Sequence, residues 1–173
     1  MPSQMPRHLF RNFDVYLDVN RVNLIGQASK LKLPELKMKT EEMRNAGMHF
    51  PIKVNLGYDK SVATLSMPGL DPLVMGLFGL AIGKETLLMA TSAFADEDGT
   101  HHSGVFTGWG ICTGHKIDDF EAGGKKLENS WEWAFRRWKW EYDGAEIISF
   151  DPFEIRINGV SQTREIDRAL LRI

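Results

Sequence analysis

Within Leu127 to Tyr142 the chain sets aromatic side chains two positions apart in two runs, first Trp131, Trp133 and Phe135, then Trp138, Trp140 and Tyr142. A period of two is the repeat of a pleated strand, whereas on a helix these rings would be scattered around the circumference. The stretch is therefore a β-strand. Its parity flips at Arg136-Arg137, which predicts a β-bulge. Asp143-Gly144 follows and is the best hairpin turn in the chain, returning it through Ala145 to Phe150. Any fold for this sequence must house that hairpin, with its rings packed on both sides of a buried strand.

The other segments repeat the theme. Ser103 to Lys116 alternates Val105, Thr107, Trp109, Ile111 and Thr113 with Gly104, Gly108, Gly110 and Gly114, leaving one nearly bare face that lets another sheet or chain come close. Asp98-Gly99 joins this strand to Glu85–Ala95. Asp14 to Asp18 pairs with Arg21 to Gly26, with Val15, Leu17, Val22 and Leu24 as the inward residues. In Ser29 to Lys39 the apolar parity slips at Pro34-Glu35, predicting a bulge or bend. Thr40 to Gly57 loses clean alternation and carries Gly47, Pro51 and Gly57, predicting a long excursion between strands. Strand character returns over Lys60–Met67. A short helix is expected near 71–80, with Asp71 as cap, Pro72 in the first turn and Leu73, Val74, Leu77 and Phe78 on one side. The end, REIDRALLRI, predicts a brief helix docked by Ile166 and Leu170. The expectation is a mainly β single domain over residues 1–173.

Composition narrows function mainly by exclusion. Twenty-one Lys and Arg against 23 Asp and Glu give a formal net charge of -2, which is not the footprint of a nucleic-acid clamp. One cysteine, Cys112, excludes an intrachain disulfide, and the chain is expected to fold in a reducing compartment. No signal peptide or membrane span is expected, because Pro68, Gly69, Asp71 and Pro72 interrupt the most apolar run. Gly123-Gly124-Lys125-Lys126 lacks the phosphate-loop spacing. His101-His102, His115 and Cys112 are too poorly arranged for a metal, since adjacent histidines in a strand point to opposite faces. Asp96-Glu97-Asp98 is expected to be a solvated turn. No enzyme, metal or cofactor is predicted. Trp131 to Trp140, flanked by Arg136, Arg137 and Lys139, leaves open a carbohydrate-binding β-sandwich as the alternative.

With these elements placed, the chain resembles the tail tube proteins of contractile-tailed bacteriophages and R-type bacteriocins. The resemblance is carried by Leu31 to Leu36 (LKLPEL), Lys39 to Met48 (KTEEMRNAGM), Val54 to Leu56, Tyr142-Asp143-Gly144 with Glu146 and Ile147, and Ile157-Asn158-Gly159-Val160. It implies two packed antiparallel sheets flanked by one short helix, with strands completed into a continuous β-barrel in a hexameric ring. It further implies stacking of rings into a conduit for DNA ejection, with sheath, baseplate and terminator proteins as partners and the tape measure protein and DNA held weakly in the lumen. Tight phosphate binding would impede passage, so a neutral or acidic channel is expected. The location implied is the virion tail, after synthesis in the host cytoplasm. Glu41, Glu42, Arg44 and Met48 match the family's inter-ring motif. The family's first hairpin turn is usually Asp-Gly, where this chain has Asp18-Val19, and five tryptophans exceed the usual number.

Overall fold

The computed structural model describes residues 7–17, 22–69, 71–76, 84–120, 122–123 and 127–170. The strands are β1 (Leu9–Leu17), β2 (Val22–Asn23), β3 (Lys30–Lys32), β4 (Met38–Met43), β5 (Ile52–Tyr58), β6 (Val62–Pro68), β7 (Thr86–Ala95), β8 (His101–Ile117), β9 (Glu128–Tyr142), β10 (Ala145–Phe150), β11 (Ile155–Ile157) and β12 (Val160–Ser161). Among the described residues two short helices, α1 (Pro72–Met75) and α2 (Arg164–Ala169), accompany them. All strand pairings among the described residues are antiparallel.

Ten strands form one branched sheet, with the path β12-β11-β10-β9-β8-β7-β1-β2 and β3 and β6 attached off it. The branch lies on β9. One edge of that strand bonds to β8 along its length, from Gly104↔Tyr142 to Ile117↔Asn129. Its other edge is shared, Glu128 to Ala134 bonding to β6 and Trp138 to Tyr142 to β10. Arg136 sits at the fork: Trp109 pairs with Arg137 and Gly110 with Phe135, so Arg136 is the extra residue of the predicted bulge. A strand that must bend between two neighbours needs such a bulge. The two layers expected from the sequence are thus limbs of one sheet, with the β3–β6 limb turned over the β1–β7 face. Leu31 and Leu33 line a cavity of about 450 Å³ together with Phe13, Ala90, Phe106 and Trp140.

The bulge also corrects the expectation for the aromatic strand. Because the extra residue shifts the parity, both halves of the series turn to the same side. Trp131, Trp133, Phe135 and Trp138 all belong to the core cluster, and Trp140 packs against it. The intervening Glu132, Arg136 and Arg137 are exposed. Ring stacking reinforces this layer: Trp138 lies parallel to Phe150 at 5.6 Å, and Phe106 meets Phe135 edge-on at 5.5 Å.

The bare face of β8 is filled from within the chain. A Cβ on Gly108 would lie 2.8 Å from the Phe135 ring, and one on Gly110 would lie 2.2 Å from the Ala134 carbonyl oxygen. The predicted first hairpin is present, with Leu17 opposite Val22 and with Val15, Leu17 and Leu24 in the core; its turn lies outside the described residues. The slip at Pro34-Glu35 is a bend where the chain leaves one sheet for another. In α1, Pro72 opens the helix and Val74 is buried, while Leu77 and Phe78 lie outside the described residues. The C-terminal expectation is corrected in one respect. Helix α2 forms, but Ile166 and Leu170 are 62% and 56% exposed. None of the six residues of this helix, which follows the terminal strand β12, is buried.

Candidate assembly surfaces

Residues 38–58 form a sheet of their own. In place of the expected loop excursion, β4 and β5 make a two-stranded hairpin outside the main sheet. Cross-strand partners share a face in an antiparallel pair. Met43 therefore stands beside Ile52 and Glu41 beside Val54, whereas Glu42 stands beside Lys53 and Thr40 beside Asn55. Leu56 continues the face of Ile52 and Val54. The hairpin is amphipathic: one face carries Met43, Ile52, Val54 and Leu56 around a single carboxylate, and the other pairs opposite charges and small polar groups.

The described residues leave Met43, Ile52 and Leu56 of the apolar face exposed, with Val54 half-buried among them. Every residue of β4 is exposed, as are Ile52 and Leu56 on β5, and Phe50 at the tip is 70% exposed. A lone hairpin is marginal in water without something to pack on. Its base is anchored instead, through Tyr58 edge-on to Phe150 at 5.8 Å and through the Asp59 N–H donating to the Lys37 carbonyl at 2.8 Å. On the strap leading into it, Lys32 Nζ contacts Glu35 Oε1 at 2.8 Å, and that ammonium holds the Glu35 carboxyl below its ordinary range.

The four residues named from the sequence all lie on this hairpin. Glu41 and Glu42 point to opposite faces of β4. Arg44 and Met48 meet in the connecting turn, where the Arg44 Nε–H donates to the Met48 carbonyl at 3.3 Å and Gly47 takes a φ of 87°. The apolar group of Met43, Phe50, Ile52, Val54 and Leu56 was missed. Its signal was present in Ile52-Lys53-Val54-Asn55-Leu56, a five-residue alternation hidden by the glycines and prolines around it.

Open strand edges form a second surface. Beyond its contact with β2 at Tyr16 and Leu17, β1 has no neighbour on its outer edge among the described residues, and the sheet path ends on strands of two residues. Unpaired backbone groups on such edges are templates for pairing with another chain.

Other candidates dissolve or disperse. Trp131, Trp133 and Trp138 are 1%, 0% and 3% exposed, so they offer no stacking platform for a sugar. His102 and His115 lie near opposite ends of β8, roughly 40 Å apart at strand rise. His115 stacks on Trp131 at 3.7 Å, and Cys112 is buried. Among the described residues no helix is long and apolar enough to cross a membrane.

Comparison with known proteins bears on these surfaces. The chain is similar to a chain of the anti-feeding prophage cap, described as a tube terminating cap, with a TM-score of 0.56 at 15% identity, over 82% of this chain and 94% of that one. It is similar to a chain of the PVC sheath-tube complex of an extracellular contractile injection system, with a TM-score of 0.52 at 13% identity, over 82% and 93%. A chain of the anti-feeding prophage baseplate gives 0.53 at 14% identity, over 82% and 97%. At these identities the likeness is one of fold. No curated protein matches the sequence. The family model for phage tail tube protein FII, in contrast, matches residues 7–171, a stretch that includes the branched sheet, its open edges and the projecting hairpin. On that match the chain belongs to the phage tail tube protein FII family and is a structural tail tube protein.

Proposed function

We propose that the chain, acting as one tube domain, is the repeating subunit of a contractile tail tube, in which six copies close a ring through their open strand edges and the β4–β5 hairpin joins one ring to the next. The observation that carries this reading is the exposed apolar face of Met43, Ile52 and Leu56, around a half-buried Val54, on a hairpin outside the main sheet. Pairing of edges around a ring satisfies their backbone groups and removes the hazard of open edges. Axial contacts are heterologous and repeat without closing, which yields a filament of rings. Glu41 stands within the apolar face, Glu42 on the opposite face, and Arg44 and Met48 in the turn, so charged groups around the apolar residues set the register of the contact.

Sheath, baseplate and terminator proteins are the partners that fit, since the similar folds come from a sheath-tube complex, a baseplate and a tube cap. The tube's hollow would hold tape measure protein and pass DNA into the host, binding both weakly. Its place is the virion tail, after synthesis in the host cytoplasm.

The test is the double substitution Ile52→Asp with Leu56→Asp. Far-UV circular dichroism should be unchanged, because both side chains lie outside the core, while negative-stain microscopy should show tubes for the wild type and single rings or monomers for the variant. Tubes of normal length from the variant would refute the hairpin's role. A wild-type protein that stays monomeric at high concentration would refute the tube reading as a whole.

A further inference from the structure

Three stretches distant in sequence meet where the β7–β8 and β9–β10 turns come together. Asp96 ends the first arm, His102 opens the second, Tyr142 and Asp143 lie at the next turn, and His8 precedes β1. His8 Nδ1 lies 3.8 Å from Asp96 Oδ1, and His102 Nε2 lies 3.7 Å from Asp96 Oδ2. The candidate donor atoms of all three residues fall within 4.8 Å of one another. These separations are too long for hydrogen bonds. They approach the distance of about 3.3 Å between donor atoms that each sit about 2.0–2.1 Å from a tetrahedral zinc ion.

The surroundings are ordered for ligation. Asp96 is only 8% exposed, and among the described residues it has no lysine or arginine partner. Its Oδ1 accepts the His8 backbone N–H at 2.5 Å. Asp143 Oδ1 accepts the Ser103 N–H at 2.8 Å, and its Oδ2 lies 2.6 Å from His102 Nδ1. A carboxylate on Nδ1 fixes the tautomer with its proton there and leaves the Nε2 lone pair aimed at Asp96. Metal-binding histidines have the same outer arrangement. We propose that His8, Asp96 and His102 bind a divalent transition-metal ion of the zinc class, oriented by Asp143, with a fourth position open to water. Two imidazoles and one carboxylate suit such an ion better than Ca²⁺ or Mg²⁺, which prefer oxygen donors. Bound there, the ion ties the segment ahead of β1 to both turns.

Tyr142 makes the proposal sharply testable. Its hydroxyl lies within hydrogen-bond distance of His8 Nδ1, at 2.6 Å, so a metal taken by that nitrogen has to displace this hydrogen bond. Full-length protein stripped with a chelator should bind one Zn²⁺ per subunit in calorimetry, and Co²⁺ should give the visible absorption of a tetrahedral site. His102→Ala and His8→Ala should each weaken Zn²⁺ binding more than tenfold, and Asp143→Asn by about 10- to 100-fold. Tyr142→Phe should tighten it by about two- to tenfold, since one competing hydrogen bond is removed. That gain cannot arise from misfolding. Absence of stoichiometric binding, or Zn²⁺ binding that survives both histidine substitutions, overturns the proposal and leaves the cluster as ion pairs alone.

Discussion

The packing of β8 against β9 can be measured with three glycines on the same strand. Gly108, Gly110 and Gly114 all have φ values open to other residues, so alanine at each position tests space alone. At Gly114 the new methyl would sit 3.4 Å from Glu132 Cβ, an ordinary contact, and the stiffer backbone should add about 0.5–1 kcal/mol. At Gly108 it would sit 2.8 and 2.9 Å from Phe135 ring atoms and 3.1 Å from the Phe106 ring. Both rings can give way only inside a packed layer, at a cost of about 2 kcal/mol. At Gly110 the obstacle is backbone: 2.2 Å to the Ala134 oxygen and 2.8 Å to Phe135 Cα, beside the Arg136 bulge. Relief requires the two strands to part by about 1 Å, which adds roughly two strained ladder bonds to the overpacking and brings the loss to about 4 kcal/mol. Against a typical total of about 5–15 kcal/mol, that is a large fraction. With an m-value of about 2 kcal/mol/M, urea midpoints should fall by about 1 M for Gly108→Ala and about 2 M for Gly110→Ala, and rise slightly for Gly114→Ala. Tryptophan fluorescence reads the transition, in the Ile52→Asp/Leu56→Asp background so that assembly does not intrude. A Gly110→Ala midpoint at or above that of Gly108→Ala would refute the close backbone approach.

Ser61→Ala should cost about 1–3 kcal/mol in the same urea assay, because the buried Trp138 indole N–H now donates to Ser61 Oγ at 2.9 Å and would be left unpaired. Deletion of Arg136 removes the bulge and would turn either Trp131 and Trp133 or Trp138 and Trp140 to the outer face; insoluble protein is expected, and a soluble chain with native near-UV dichroism would contradict the single-sided core. Glu41→Lys combined with Arg44→Glu should slow tube growth in light scattering and alter its salt dependence while leaving subunit stability within about 0.5 kcal/mol.

Local pattern alone determined much of this protein. Alternation at Trp131 to Tyr142 required a strand, the flip at Arg136-Arg137 required a bulge, and Asp143-Gly144 required a turn, because each depends only on pleat geometry or on a positive φ, which Asp143 and Gly144 both adopt. Pro72 opening a helix and Val15 with Leu17 facing inward are legible for the same reason. What the bulge does to the far half of the strand is not local. Whether the rings flank a strand or line one side of it depends on which neighbours bond to each edge of β9, and only the fork between β6 and β10 decides that. The glycines of β8 announced a close approach, but the partner, Phe135 of the same chain, is set by register across two strands. The β4–β5 hairpin was obscured because its apolar residues satisfy no core of their own, and the docking expected of Ile166 and Leu170 failed because helical periodicity does not say what lies opposite the stripe. His8, Asp96, His102 and Asp143 are spread over most of the chain, and their convergence is a product of the order in which antiparallel strands return to one end of the sheet.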